Sequence, residues 1–436
     1  MATTTALSPA TKKPWNSLQR LKAGLGFLIV VDALFLTALI MAANKHSELL
    51  NTVGVASAPS VVLAQKIKVE IGTMDAEAAN ELLAKPGEGQ AARNNFAKSR
   101  DEVAEALVDA AKNITYSGER KAIRDLELGL GKYETTVQRA RDFHDRGDPQ
   151  ALQIYRKDFD IKYLFDRADD LAKVNDQHLE DAFSDDRSSA RWARLAAMAL
   201  GSVLFGLLIF VQWDLIKKTK RLVNPALLAA SILTLGLTVS DGIRLSKASE
   251  DLRIAKEEAF DSLHYLWQCR AYAYAANADE SKYLLNEDGR ADEVAFFEKA
   301  QAILPLDDPK NENGLLGKEL HNITFLGEKE AALQAINTWK QYMAIDSQIR
   351  QLQRAKRHDD AVKLCLGDKQ GQSDWAFSQF DGALMQTIGI NQKAFENALH
   401  SGFRLLEEFN IIASIATGII AICCCIGLFI RIREFL

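Results

Sequence analysis

The chain has 436 residues and a formal net charge of −5. That length predicts two or three domains, and the acidic balance argues against nucleic acid, whose binding rests on clustered cations. A quarter of the residues are charged and the mean hydropathy is close to zero, but these averages hide a partition. The apolar residues gather in four blocks and the charged residues fill the stretches between them.

The blocks are Ala23–Ala43, Ala193–Trp213, Pro225–Ser240 and Ile411–Ile430. Three are about 20 residues long, enough at helical rise to cross a hydrocarbon core of ~30 Å. The third is shorter and carries Ser231, Thr234 and Thr238. Its Pro225 suits the first helical turn, where a missing N–H costs nothing. A cleaved signal peptide is the rival reading of the first block, but the stretch is too long and no small-x-small cleavage site follows it.

Basic residues flank the blocks on one side: Lys12, Lys13, Arg20 and Lys22 before the first, Lys217, Lys218, Lys220 and Arg221 between the second and third, and Arg431 and Arg433 after the fourth. The positive-inside rule places these segments, and both termini, in the cytoplasm. The rest of the chain, Asp32 aside, holds 43 basic and 55 acidic residues, a balance suited to cationic partners or to solubility. The expected division is a cytoplasmic tail (1–22), a span (23–43), an extracytoplasmic bundle (44–192), a span (193–213), a cytoplasmic loop (214–222), a span (223–241), a second extracytoplasmic bundle (242–409), a span (410–430) and a cytoplasmic stub (431–436).

The two halves align with each other. Ala76, Glu77, Leu82, Leu83 and Gly87 match Ala278, Asp279, Leu284, Leu285 and Gly289. Asn113-Ile114-Thr115 matches Asn322-Ile323-Thr324. Further on, Gly118, Glu119, Ala122, Tyr133 and Arg141 match Gly327, Glu328, Ala331, Tyr342 and Arg350. A tandem duplication of span, ectodomain and span accounts for these matches. It predicts a pseudo-twofold axis along the membrane normal, as in parallel repeats of transporters.

Both ectodomains read as helix, with apolar residues three and four apart, as in Leu126, Leu130, Tyr133 and Val137. Breaks fall near Pro86-Gly87, Thr115–Gly118 and Gly147–Pro149 in the first, and near Asp288-Gly289, Pro305–Gly314 and Arg357–Asp360 in the second. Four helices per ectodomain follow, the first continuing from one span and the last running into the next. The fold class is therefore an all-α membrane protein with four transmembrane helices and two tandem four-helix bundles.

Few residues suggest chemistry. Asp32 lies mid-span, where an ionised group costs at least ~2.5–3.5 kcal/mol. It reads as a proton or cation site, a contact with a partner's span, or a protonated carboxyl bonded to a neighbouring Ser or Thr. Tyr133 and Tyr342, with Arg141 and Arg350, recur in both halves and are the candidate binding residues. Core tyrosine and snorkelling arginine is the alternative. Cys269 and Cys365 are expected to be buried free thiols, since straight helices set them roughly 30 Å apart. Cys423, Cys424 and Cys425 read as packing residues of the last span, with acylation as the alternative. The acidic pairs Asp307-Asp308 and Asp359-Asp360 read as caps or turns. The Asn-Ile-Thr segments match glycosylation acceptors but recur as a shared turn. The histidines (His46, His144, His178, His264, His321, His358 and His400) stand singly, without zinc spacing. No catalytic residue, metal site or cofactor is read, and the expectation is a protein that is not an enzyme.

In architecture each half resembles the four-helix-bundle ectodomains of bacterial chemoreceptors and sensor kinases. The stretches Ala76–Leu83 and Tyr133–Tyr155, the latter with Arg139, Arg141, Gly147, Ala151, Leu152 and Tyr155, are similar to uncharacterised bacterial membrane proteins of the same doubled plan. By topology alone, prominin and tweety proteins are also similar, with more spans. The resemblance implies a sensor-like membrane protein of the bacterial plasma membrane. The cytoplasmic segments read here are too short to form an output module, so a sensed state must leave through the spans. The leading expectation is that the ectodomains bind a ligand or a surface or periplasmic protein and relay that state to a membrane protein partner or within a homo-oligomer. A scaffold organising a membrane or cell-surface assembly is the alternative, and a transporter or channel subunit the third.

Overall fold

The computed structural model describes residues 17–219, 223–286, 289–305, 307–308 and 310–434. Lys12, Lys13, Lys220, Arg221, Asp288 of the expected break, and the outer ends of the expected tail and stub lie outside the described residues. Among the described residues every regular element is a helix and no strand occurs. The first half contains α1 (Ser17–Asn51), a π-helical segment (Thr52–Ser57), α2 (Ala58–Leu83), α3 (Gln90–Lys112), α4 (Glu119–His144), α5 (Gln150–Lys157) and α6 (Lys162–Thr219). The second contains α7 (Pro225–Arg253), a second π-helical segment (Ile254–Phe260), α8 (Asp261–Leu285), α9 (Arg290–Ile303), α10 (Gly314–Asn322), α11 (Glu328–Arg354), α12 (His358–Cys365), α13 (Ser373–Leu406) and α14 (Phe409–Glu434).

Three expectations are corrected. Each of the two segments expected as a four-helix bundle has more than four helices, because short α5 and α12 precede the last long helix. A short extra helix, α10, follows Gly314, and it ends at the turn expected of Asn322-Ile323-Thr324, where Gly327 takes φ 83°, open to glycine at no steric cost. The last helix of the second half does not run on into the fourth span: α13 stops at Leu406, and Glu408 has φ 57° before α14 begins. The π segments carry no sequence signal of the kind read above.

Four helices are long and apolar enough to cross a membrane. The chain divides into two compact units. The first takes the described residues up to Glu48, Asp185–Ser249 and those from Gly402. Its interior is apolar, with Leu28, Phe35, Leu39, Leu204, Leu208, Leu227, Ile420 and Leu428 buried. Its outer faces are apolar too: Phe27, Leu34, Ile232, Ile411, Ile422 and Phe429 are each more than half exposed. Apolar both inside and out is what a bilayer requires of a bundle. Without a hydrophobic force between spans, close packing of small residues brings them together. At Gly201 a Cβ would lie 2.2 Å from Thr238 Oγ1 and 2.8 Å from the Phe35 ring. Polar groups add short links: Gln212 Nε2 donates to Ser231 Oγ at 3.0 Å and Asn224 Nδ2 to the Gly427 carbonyl at 2.8 Å.

The second unit takes Leu49–Ser184 and Glu250–Ser401, so both halves contribute to one body. At its centre α2 lies against α8. The two backbones come close at Gly72, where a Cβ would sit 3.1 Å from Tyr274 Cβ and 3.3 Å from the Ala275 amide. Ser281 Oγ of α8 donates to Asn80 Oδ1 of α2 at 2.5 Å. Around this seam, Tyr133, Leu126, Phe96 and Leu171 fill the core of the first half. Trp339, Tyr342, Phe296 and Phe380 fill the second, with Trp339 and Phe380 centroids 4.9 Å apart.

The Asn-Ile-Thr segments do the same work in both halves. Asn113 Nδ2 donates to the Ala56 carbonyl (3.1 Å) and Ser60 Oγ (2.8 Å), and Asn322 Nδ2 to the Glu258 carbonyl (2.9 Å) and Ser262 Oγ (3.0 Å). A π segment widens the helix and disturbs its regular ladder, and the asparagine amide supplies a donor to carbonyls there. The following glutamate closes the turn. Glu119 Oε2 accepts the Thr115 and Tyr116 amides at 2.6 and 2.7 Å, and Glu328 Oε2 the Thr324 and Phe325 amides at 2.7 and 2.8 Å. Gly289 precedes α9 as Gly89, rather than Gly87, precedes α3. Asp308 is a turn residue, its Oδ2 accepting the Asn313 amide at 2.7 Å. Cys269 and Cys365 are buried free thiols.

Candidate functional site

α2 is buried on almost every side, yet it carries Gln65, Lys68, Asp75, Asn80 and Glu81. Polar groups on such a helix must find partners on the elements around it, and these partners build the site. Beside the α2–α8 seam lies a cleft of about 430 Å³, walled by α2, the start of α6, α8 and α9.

Four ion pairs line it, one of them Lys162 with Asp166 at 2.8 Å. Lys68 Nζ meets Asp169 Oδ1 at 2.6 Å, Lys299 Nζ meets Asp279 Oδ2 at 2.5 Å, and Lys282 of α8 pairs with Asp75 of α2. Asp279 also lies 3.8 Å from Lys282. Tyr133 and Tyr155 donate their hydroxyls to Asp75 Oδ1 at 3.1 and 2.6 Å. Burial, with the Asp75 charge beside them, pushes both phenols well above their ordinary range, so they remain O–H donors. Burial acts to lower Lys282, but the charges of Asp75 and Asp279 outweigh it and hold the ammonium above its usual value. Burial likewise raises Asp279, against the pull of Lys282 and Lys299. The uncharged part of the wall is Ile161, Phe165, Tyr272, Ala271 and Ala275.

The candidate binding residues therefore sit one step behind the surface. Tyr133 does not line the cleft but holds Asp75, which does. Arg141 is buried, with Nε 2.6 Å from Glu81 Oε2 and its guanidinium 4.4 Å over the Phe96 ring. Arg93 takes the other oxygen of Glu81 at 2.6 Å. Glu81 and Arg93 line a second recess of about 270 Å³, together with His144 and Asp145.

Tyr342 and Arg350 occupy the corresponding places of the second half and line neither the cleft nor the second recess. Arg350 stacks 4.5 Å over Phe296, as Arg141 does over Phe96, but its carboxylate partner is Asp346 of its own helix, at 2.9 Å. Glu280 stands nearby, accepting Ser373 Oγ at 2.6 Å; burial, and then the Asp346 charge, raise its carboxyl far above the usual range. The four residues thus fall into two buried Arg–Phe–Tyr clusters, and the first half's cluster holds Asp75 of the cleft and Glu81 of the second recess.

Asp32 is buried in the first unit, and its Oδ1 has no hydrogen-bond partner. Asp241, which the sequence reading passed over, is fully buried with neither carboxyl oxygen bonded. Its position at the end of the third apolar block was the available signal. Asp75, Lys68 and Lys282 were missed as well. Charge alone could not single them out, since the same helices also carry Lys66, Glu70, Glu77 and Arg270.

A family model described as an actinobacterial sensor domain matches residues 49–184, the same limits as the first segment of the second unit. No curated protein matches the chain, and no solved structure does. The match is to a bacterial sensor-like domain. With four helices able to cross a membrane, it fits a membrane protein with a sensing role.

Proposed function

We propose that this chain is a non-enzymatic membrane sensor whose cleft on the α2–α8 seam binds a small ligand and whose bound state passes to a membrane protein partner. The observation that carries this reading is the Asp75 network. One carboxylate in the cleft wall is held by Tyr133 and Tyr155 of the first half and by Lys282 of the second. A ligand that draws on Lys282 therefore changes what holds the two halves together, and differential contacts of that kind are what shift a conformational equilibrium.

The relay is supported by chain continuity: α6 runs unbroken through Asp185, where the chain passes from one compact unit to the other. A tandem duplication, with both termini cytoplasmic and the second unit outside, is part of the same reading. Its support is the recurrence of the asparagine and glutamate turn bonds and of the Arg–Phe stack in both halves.

The test is purification from the native membrane in mild detergent, with mass spectrometry of proteins and small molecules that remain bound. The wild type is expected to retain a membrane partner and a small molecule. Ala275→Trp, which fills the cleft, is expected to lose the small molecule while keeping its helical circular dichroism. A homogeneous assembly with neither partner nor small molecule would replace this reading with a scaffold.

A further inference from the structure

Each of the four lysines of the cleft wall faces an aspartate, and Glu298 stands beside them as a fifth acid. Lys68 faces Asp169, Lys282 faces Asp75, Lys299 faces Asp279, and at the mouth Lys162 faces Asp166 at 2.8 Å. A ligand with one charge would take one member of a pair and strand the other in a partly dry wall, which is the costly way to break an ion pair. A ligand carrying both signs strands nothing, because its anion takes the lysine and its cation the aspartate.

One pair is placed to open. The Lys68 side chain is 10% exposed and that of Asp169 55%, so the aspartate can turn toward water while the lysine stays in the wall. The Lys282–Asp75 pair is less free, since Asp75 is also bound by two phenols. Next to Lys68 lies the Tyr272 ring, its centroid 5.7 Å from Nζ. An aromatic face there can also receive a ligand ammonium. Ala271 and Ala275 leave the floor open, and a volume of about 430 Å³ is within the range of small-molecule sites.

We propose that the cleft takes a small zwitterion, an ammonium and a carboxylate on one partly apolar skeleton, inserted between Lys68 and Asp169. The inference rests on the cleft being a ligand site, as argued above, and adds the charge class of the ligand.

The test uses the full chain in lipid nanodiscs and calorimetric titration. The probes are the standard α-amino acids and glycine betaine. For each amino acid with an uncharged side chain, the amide supplies a singly charged cation and the N-acetyl derivative a singly charged anion. At least one zwitterion is expected to bind, with its amide and N-acetyl forms weaker by about tenfold or more, roughly the loss of one charge-assisted contact. Lys68→Met and Asp169→Asn should each weaken it by a similar factor, and the double variant by little more than either single one, since the pair acts as a unit. Lys68→Asp/Asp169→Lys, which keeps the balance, should bind better than either single variant and guards against a folding defect in one of them. Binding of amides or N-acetyl forms without their parent zwitterions would overturn the zwitterion and leave the cleft as a ligand site. No binding by any probe, with no small molecule retained by the native protein, would overturn both.

Discussion

Asp75 of α2 and Lys282 of α8 are paired across the seam between the two halves, 207 positions apart in the chain. The pair is asymmetric. Asp75 has two phenol donors besides its lysine, whereas Lys282 has, besides its aspartate, the more distant charges of Asp279, at 3.8 Å, and Asp292. Asp75→Leu should therefore cost about 3–5 kcal/mol, as removal of one partner of a buried pair does. Lys282→Met should cost about 1–2 kcal/mol, because hydrogen bonds still satisfy Asp75. Urea unfolding of the full chain followed by tryptophan fluorescence measures both, and the reverse order would refute the asymmetry.

The two buried arginines differ in a similar way. Without Arg141, Glu81 keeps Arg93 at 2.6 Å. Without Arg350, Asp346 is left almost fully buried close to Glu280. Arg350→Met should destabilise by about 3–5 kcal/mol and Arg141→Met by about 1–3 kcal/mol, read in the same unfolding experiment.

Asn113→Ala and Asn322→Ala should each cost about 1–2 kcal/mol, the price of leaving partly buried acceptors unsatisfied. Hydrogen–deuterium exchange locates the effect. Protection should fall within 52–57 for the first variant and within 254–260 for the second, each leaving the other segment unchanged.

Stability should fall as pH rises through neutrality. Burial, and further the nearby Glu328 carboxyl, push Glu319 up to about 8 despite the Ser262 hydroxyl that favours its charge. Burial pushes Glu77 to about 7, against the Asn95 amide, and burial with the Glu77 charge takes Asp374 to about 7. Unfolded, these carboxyls titrate near 4.5 for glutamate and 3.8 for aspartate. Between those values and the folded ones the native state binds more protons than the unfolded state. Stability therefore declines from about pH 4.5 to about pH 8 and levels off above it. Glu319→Gln should flatten the upper part of that slope and raise the melting temperature at pH 9 more than at pH 5. Thermal unfolding across that pH range is the measurement.

Much of the plan was legible before any coordinates. Runs such as Ala193–Trp213 report burial in lipid directly, because a span needs length and apolarity and little else. The helical period of Leu126, Leu130 and Tyr133 reports one buried face along one helix. The internal matches singled out Tyr133 and Arg141, which are bonded to Asp75 in the cleft wall and to Glu81 in the second recess. Asp75 escaped because its counterpart at the same offset is Asn277, and Lys282 because its counterpart is Asn80. Periodicity records which residues of a helix are inside, but not what they meet there. The partnership of Lys68 with Asp169, of Asp75 with Lys282, and the open volume beside them depend on how α2, α6 and α8 pack. Those contacts join residues about 100 to 200 positions apart, and only the tertiary structure decides them.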